Sequence, residues 1–479
     1  MKNRYIVKIS ALFVLFLMIQ SCAIPKIVQK EASVSLPEAY KAKEKDTLHT
    51  PIISWKTFFE DENLVTLIDS ALVNNKEVNM LLQKVLMAKN EVQVRKGEYL
   101  PSVNFAAGAE LEKVGRYTRN GAVEENLNIE EDKEFPEPLG NLSVGLNVSW
   151  ELDVWKKLRN AKKVAVMEYL ATVEGKNLLV TNLVAEIANS YYELLALDNE
   201  LENLEKNINI QKDVLEIIKY LKEAGRVSSL AIKRFEAEVK KNQSELYVVR
   251  QKIVETENNI NFLVGRMPQK VTRTATDFIN TSPSVIETGV PSQLLENRPD
   301  IRKAELELAA SKLNIKVARA NFYPSFGING RLGYESFNAK NLLKTPSSLL
   351  YSLAADAVAP LLNRNAIKAT YKNANAQQTA AVYEYEQTLL KAYQEVTNQL
   401  SNIENLHESY ELKKQQVASL TESISIVNQL FQSARADYME VLLTQRDALE
   451  AKNELIHTKK EQFIAMINLY KALGGGWKS

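Results

Sequence analysis

Cysteine, histidine, glycine and proline are all scarce in this chain. Among its 479 residues there are one Cys, three His, 16 Gly and 13 Pro. A single cysteine excludes an internal disulfide bond, and the three histidines are too far apart in the sequence for the ligand spacing of a zinc site. The sequence also has no phosphate-binding loop. It therefore predicts neither an enzyme nor a protein with a bound metal or cofactor.

The chain also lacks an excess of charge of either sign and a long hydrophobic run. Its 60 basic and 59 acidic residues give a net charge of +1, and no basic stripe of the kind that binds nucleic acid stands out. After the amino-terminal segment, no stretch is long and apolar enough for a transmembrane helix. Leu, Ala, Glu, Lys and Asn are abundant, which favours helix.

The amino terminus has the pattern of a bacterial lipoprotein signal. Three basic residues precede an apolar run at 11–19 that is too short to span a membrane, and Cys22 follows shortly afterwards. We expect residues 1–21 to be a signal peptide and Cys22 to carry the acyl chains that anchor the mature protein. Residues 22–62 would then form an N-terminal periplasmic segment. An ordinary signal peptide with an incidental cysteine is the alternative.

Four segments alternate apolar with polar residues, which is typical of strands with two unlike faces. They lie at about 102–112, 141–153, 324–335 and 351–360. Each is about ten residues long, enough to cross the hydrocarbon core of a bilayer when tilted. For each strand taken singly, the alternative is a half-buried sheet in a soluble protein.

Most of the remaining sequence predicts helix, in an order that occurs twice. Helix, strand, loop, strand, very long helix, break and helix follow one another in residues 63–267 and again in 293–473. A connector at 268–292 joins the two repeats, and residues 474–479 form a tail. Each very long helix would extend about 100 Å, too far for a compact globule.

Apolar seams with the spacing of coiled coils precede the two breaks. They align with an offset of 210 residues, which also places Gly265 on Gly475. The seam residues are Ile210, Val214, Ile217, Leu221 and Ala224 in the first repeat and Leu420, Ile424, Val427, Phe431 and Ala434 in the second.

Four strands are too few to close a transmembrane barrel. An open sheet edge in lipid would leave backbone N–H and C=O groups without partners. Two copies of the chain would supply eight strands around an interior filled by side chains, whereas three would supply twelve with room for a pore. A conduit therefore favours a trimer.

Several motifs resemble the TolC-like outer-membrane efflux family, specifically its lipoprotein branch. They are Trp150-Glu151-Leu152-Asp153, the segments 295–302 and 317–325, and the ending Leu473-Gly474-Gly475-Gly476-Trp477. The resemblance implies a mainly α fold with membrane β-strands, in which a homotrimer forms a twelve-stranded barrel continued by a periplasmic α-helical barrel.

The same resemblance implies a function and a set of partners. The trimer would be the passive outer-membrane channel of a tripartite efflux system, working with a periplasmic adaptor and an inner-membrane pump of the RND type. A duct for type I protein secretion is one alternative. A lipid-anchored periplasmic coiled-coil scaffold or adaptor is an alternative from another class, although it would not explain the four strands.

The resemblance also assigns roles near the two helix breaks, which would lie at the periplasmic tips. Gly225 and Arg226 at the first break, and Arg435 and Asp437 at the second, are the expected adaptor contacts. Because Arg435 stands where the aligned first repeat has Gly225, we expect the two tips to contact an adaptor unequally.

The segment after the second break resembles the family's periplasmic gate. Met439 falls where the lipoprotein branch has an apolar constriction, and Leu443 falls where many members have a gating aspartate. Glu440 is one candidate for the missing acid, because it aligns with an acidic position in other members. Three copies of an acid around a threefold axis would repel one another, favour cations and respond to pH. In the alternative interpretation Met439 and Leu443 are seam residues and Glu440 is a solvated one.

Overall fold

Long helices and one antiparallel sheet dominate the computed structural model of the chain. It describes residues 24–37, 39–40, 54–274, 278–283, 291–433 and 435–478. The expected signal peptide and Cys22 lie outside these residues. The chain divides into a sheet unit, which contains the residues up to Glu31, Met87–Tyr169 and Leu306–Val382, and a helical unit, which contains Ala32–Leu86, Leu170–Glu305 and Tyr383–Ser479.

The described elements follow the predicted order in each repeat, except that the predicted loop between the first two long strands contains a short helix and a hairpin. The helix α1 (Trp55–Phe58) comes before the first repeat. The elements of the first repeat are α2 (Glu62–Asn74), α3 (Lys76–Glu98), β1 (Ser102–Glu112), α4 (Arg119–Asn126), β2 (Asn128–Glu130), β3 (Lys133–Glu134), β4 (Leu139–Leu152), α5 (Lys157–Glu223) and α6 (Ser229–Val264). Those of the second are α7 (Leu294–Asn297), α8 (Pro299–Ala320), β5 (Ser325–Ser336), β6 (Leu349–Val358), α9 (Asn365–Gln432) and α10 (Tyr438–Ala472). None of these described helices is apolar enough over a sufficient length to cross a membrane.

The four long strands form one antiparallel sheet in the order β1-β4-β5-β6. Their observed bounds lie within two residues of the predicted ones. A short hairpin of β2 and β3 lies in the connection between β1 and β4. Within the described residues, β1 and β6 each have a strand partner on one side only, so both outer edges of the four-stranded sheet are open.

The predicted alternation places unlike side chains on the two faces of the sheet. One cross-strand row consists of Phe105, Leu146, Leu332 and Tyr351, all of which are exposed. The next row, on the opposite face, consists of Asn104, Asn147, Arg331 and Ser352. An exposed apolar face on a sheet whose other face is polar is the pattern of strands between lipid and water.

The two repeats are related by an offset of 209 residues, so the predicted offset of 210 is wrong by one. The long helices end at Glu223 and Gln432, and the helices after the breaks begin at Ser229 and Tyr438. The left-handed glycines that end α6 and follow α10 are Gly265 (φ +80°) and Gly474 (φ +93°), again 209 apart. Each approaches a backbone carbonyl so closely that a Cβ atom would not fit, at Asn74 and Asn297 respectively.

The same shift corrects the predicted seam of α5. Within the chain Ile210 and Ile217 are 45% and 44% exposed, whereas Ile218 is fully buried. Ile218 packs in an apolar cluster that joins the four helices next to the breaks, which we call the tip cluster. Its buried members are Val214, Leu215, Ile218, Ala231, Phe235, Val427 and Val441.

A larger core in the helical unit holds α2, α5, α6 and α10 together. Ile68, Ile187 and Ile260 are fully buried in it, and Ile467 is 2% exposed. The helix α2 begins where the Asp61 carboxylate accepts a hydrogen bond from the Asn63 N–H at 2.8 Å. Capping the first turn in this way satisfies a donor that the helix itself leaves unpaired.

Candidate functional site

Asp153 fixes the passage from β4 into the long helix α5. Its carboxylate accepts hydrogen bonds from the backbone N–H groups of Leu158, at 3.0 Å, and Arg159, at 2.9 Å. The Arg159 side chain returns to the same carboxylate through Nε at 2.9 Å and to the Asp153 carbonyl through Nη2 at 2.6 Å. The final residue of the Trp-Glu-Leu-Asp motif is therefore the cap of α5.

Replacing Asp153 should destabilise the start of α5 in a pH-dependent way. Burial alone would raise the pKa of Asp153, but the hydrogen bonds from Arg159 and Leu158 hold it below its usual value. A lowered pKa in the folded protein means that the carboxylate stabilises the fold above about pH 4 and loses that contribution as the pH falls further. We expect Asp153→Ala to lower the free energy of unfolding by roughly 1–2 kcal/mol at pH 7. The loss should be smaller at pH 3.

Thermal unfolding of the detergent-solubilised protein, followed by helical circular dichroism at both pH values, measures this effect. Asp153→Asn is the matched control, because it keeps an acceptor for the helix and removes only the charge. An equal loss at pH 7 and pH 3 for Asp153→Ala would show that the charge contributes nothing.

Aromatic residues lie at this same end of the sheet. The Trp155 ring stacks on Tyr323 at a centroid distance of 4.6 Å, and its Nε1–H donates to the Pro324 carbonyl at 2.7 Å. Trp150 Nε1–H donates to the Tyr99 carbonyl at 3.1 Å. Both tryptophans are exposed and combine an apolar ring with a bonded N–H, as is typical of residues at a membrane–water interface.

The segment that follows the expected lipidation site packs against the sheet unit. Ile24 and Ile27 contact a cluster that includes Ile315 and Phe322, close to the point where α8 leads into β5. Further along the segment, the Lys30 N–H donates to the Gln378 amide oxygen at 3.2 Å, and the Gln378 amide nitrogen donates to the Lys30 carbonyl at 2.6 Å.

The two helix breaks in the helical unit share an equivalent backbone hydrogen bond. At the first break, Gly225 has φ +69° and the Arg226 N–H donates to the Leu221 carbonyl at 2.8 Å. At the second break, the Arg435 N–H donates to the Leu430 carbonyl at 2.8 Å. Bonds of this kind, from five residues later in the chain, satisfy carbonyl groups at a helix end.

This hydrogen bond corrects the alignment from which unequal tips were expected, while unequal contact with an adaptor stays a prediction. Arg435 is equivalent to Arg226 and not to Gly225, and both arginines are exposed. Asp437 is the N-cap of α10 and accepts a hydrogen bond from the Met439 N–H at 2.6 Å. Its equivalent is Ser228, the N-cap residue of α6, whose side chain makes no capping bond.

The predicted gate residues lie close together on α10, with Met439 and Leu443 four residues apart on one face and Glu440 beside them. Met439 is half-buried, and its Sδ accepts a hydrogen bond from Arg234 Nη1 at 2.9 Å. Glu440 is exposed, as is Leu443 at 38%. Between them Val441 is fully buried in the tip cluster. One gate residue is thus held by the neighbouring helix α6, while the other two face away from the chain's own core.

Comparison with known proteins decides the family. A model described as outer membrane efflux protein matches residues 67–266 and 290–475. The chain belongs to the outer membrane efflux protein family.

Individual relatives agree with this assignment. The cation efflux system protein CusC of Escherichia coli O6:H1 is 27% identical over 430 residues, covering 88% of each chain. The pyoverdine export outer membrane protein OpmQ of Pseudomonas aeruginosa is 26% identical over 428 residues, covering 89% of this chain and 87% of its own. The solved outer-membrane channel OprN has a TM-score of 0.82 at 21% identity, covering 95% of this chain and 99% of its own.

This outer membrane efflux protein therefore has the TolC-like fold that its motifs predict, and it is the outer-membrane channel of an efflux system. Its place is the bacterial outer membrane. The chain motifs that carried the resemblance now have structural roles: Asp153 caps α5, and Gly474 adopts the left-handed conformation after α10.

Two buried glutamines of this outer membrane efflux protein, each about one helical turn from a residue of the tip cluster, were not predicted from the sequence. Gln211 is fully buried and accepts a hydrogen bond from Asn242 Nδ2 at 2.9 Å. Gln445 on α10 is 1% exposed, and neither atom of its amide has a partner within the described residues. Arg234, which holds Met439, was also missed. With a repeat offset of 209, Arg234 is equivalent to Leu443, which is one of the predicted gate residues.

Proposed function

We propose that three copies of this chain form the exit duct of a tripartite efflux system. The observation that carries the proposal is the four-stranded sheet with one apolar face, one polar face and two open edges. An open edge in lipid is costly because its backbone groups have no partners there. The sheet therefore needs further strands, and copies of the same chain are their simplest source.

The alternating directions of the strands would allow several copies of the chain to close one β-barrel. Neighbouring strands alternate in direction, so β6 of one copy runs opposite to β1 of the next and can pair with it in antiparallel fashion. The two edge strands have similar lengths, 11 residues in β1 and 10 in β6. Twelve strands leave an aqueous interior, whereas side chains fill a barrel of about eight. A duct favours three copies.

Cys22 would anchor each copy to the membrane through acyl chains. Support comes from the packing of Ile24 and Ile27 beside the start of β5, at one end of the membrane strands. Mass spectrometry of the mature amino terminus tests this role. An unmodified amino terminus at another residue would reject it.

The partners of the duct would be a periplasmic adaptor and an inner-membrane pump of the RND type. Gly225, Arg226, Arg435 and Asp437 would contact the adaptor, since the two breaks present equivalent exposed arginines. The channel itself would be passive and not an enzyme. Efflux of cations and export of pyoverdine, the activities in the names of CusC and OpmQ, are both candidate uses of the pump that feeds it.

Met439, Glu440 and Leu443 would form the periplasmic constriction of the trimer. The native protein should form ion-conducting pores in planar bilayers, and Met439→Ala with Leu443→Ala should raise the conductance because smaller side chains widen an apolar constriction. Leu230→Ala is the control, since Leu230 is an exposed leucine next to the other break. Strictly monomeric protein without conductance would contradict the duct, whereas pores with unchanged conductance would reject only the gate residues.

A further inference from the structure

Basic residues gather at the end of the sheet where the strands meet the long helices. The segments 24–31, 153–169, 306–321 and 359–382 of the sheet unit together contain 13 Lys and Arg but only four Asp and Glu. The two connections at the opposite end of the sheet, 113–138 and 337–348, contain six basic and seven acidic residues. The charge of the sheet unit is thus strongly asymmetric.

The exposed cations at this end form what we call the basic flank. Its members are Lys26, Lys156, Lys163, Lys316, Arg319 and Lys372, all exposed. No carboxylate partner within the described residues is recorded for any of them, although nearby Lys157 and Arg159 pair with Glu151 and Asp153. Unpaired cations on four segments leave this surface with uncompensated positive charge.

Helix electrostatics account for Arg319, which lies in the last turn of α8, but not for the cations on α5 and α9. Lys156 and Lys163 lie at the amino-terminal end of α5, and Lys372 lies in the second turn of α9. The amino-terminal end of a helix carries partial positive charge and favours acidic residues. The helix dipole therefore gives no reason for cations at these positions.

The positions of these cations along the chain indicate where a compensating anion would lie. Lys156 follows the last residue of β4 by four positions, and Arg319 precedes the first residue of β5 by six. Lys316 and Arg319 continue the face of α8 on which Lys312 pairs with Glu31 at 3.0 Å. Glu31 follows the expected lipidation site Cys22 by nine residues in the sequence. This face of α8 therefore contacts the segment that comes after that site.

We propose that the basic flank binds the anionic headgroups of phospholipids, such as phosphatidylglycerol, in the periplasmic leaflet of the outer membrane. The proposal rests on the proposed placement of the sheet in that membrane. Cations close to an anionic lipid surface are attracted to it at physiological ionic strength. The flank would therefore fix the depth and tilt of the duct and select its neighbouring lipids.

Quenching of tryptophan fluorescence by brominated lipids tests this binding. Trp150 and Trp155 lie beside the basic flank, so brominated phosphatidylglycerol and brominated phosphatidylethanolamine can be compared as quenchers of the full-length protein in vesicles. We expect a preference for phosphatidylglycerol. The variant Lys163→Gln/Lys316→Gln/Arg319→Gln/Lys372→Gln should lower that preference at least roughly tenfold. High salt should weaken it in the native protein, because salt screens charges beyond a few ångströms.

The control variant Arg119→Gln/Lys133→Gln/Lys340→Gln/Lys344→Gln removes four cations at the opposite end and should retain the preference. Equal quenching by the two lipids would overturn lipid binding by the basic flank. A preference for phosphatidylglycerol that survives in the Lys163/Lys316/Arg319/Lys372 variant would overturn it too. Neither result would contradict the proposed duct. A preference that survives while export falls would assign these cations to the duct wall and overturn the proposal as well. No quenching by either lipid would overturn the membrane placement of the sheet and the flank together.

Discussion

Leu146→Lys is expected to prevent assembly of the protein in the outer membrane. Leu146 lies near the middle of β4, in the exposed apolar row with Phe105, Leu332 and Tyr351. A lysine on the lipid face near the bilayer midplane costs roughly 2–4 kcal/mol, and a trimer would bear this cost three times. The assembled protein should be lost from outer-membrane fractions and replaced by monomeric, protease-sensitive material.

Asn147→Lys is the matched control, because the two positions are adjacent on one strand but face opposite ways. Asn147 lies in the polar row with Asn104, Arg331 and Ser352. A lysine there would face water, so trimers on heat-treated and unheated gels should resemble those of the native protein. Equal tolerance of lysine at both positions would contradict the assignment of the apolar face to lipid.

The strands were predictable because their signal is local. A period of two needs only neighbouring residues, and in β4 the apolar residues from Leu142 to Leu152 follow it without interruption. The open edges and the register were not predictable in the same way. They depend on which strands pair, and the sequence alone does not distinguish the neighbours of β4.

The helical repeat shows that an apolar seam does not fix the alignment of two helices to the residue. Two seams with the same spacing align almost as well after a shift of one residue, but each residue turns a helix by about 100°. The shift exchanged buried Ile218 for exposed Ile217 and matched Arg435 with Gly225. Backbone geometry at the breaks resolves the ambiguity, because the hydrogen bonds of Arg226 and Arg435 define equivalent positions.

The basic flank was hidden for another reason. Its cations come from four segments that are far apart in the sequence, and the net charge of the chain is only +1. The fold brings these segments to one end of the sheet. The buried amides of Gln211 and Gln445 were hidden as well, since a glutamine on a charged helix is usually a surface residue.

The equivalence of Arg226 and Arg435 predicts how the tips respond to charge reversal. If both arginines contact an adaptor, Arg226→Glu or Arg435→Glu alone should weaken docking, and the double variant should weaken it by roughly tenfold or more, since each 1.4 kcal/mol lost changes the dissociation constant tenfold. Like charges across an interface also repel. Binding of the cognate adaptor to the purified trimer, measured by biolayer interferometry, gives the dissociation constants directly.

Lys240→Glu/Arg446→Glu is the control for this experiment. It reverses one exposed charge on α6 and one on α10, away from the breaks, and should leave docking unchanged. Because Arg226 and Arg435 make similar backbone bonds and are both exposed, the two single variants should have similar effects. Loss of docking from one single variant alone would show that only one tip contacts the adaptor. Unchanged docking in the double variant would remove both arginines from the interface while leaving the duct itself unaffected.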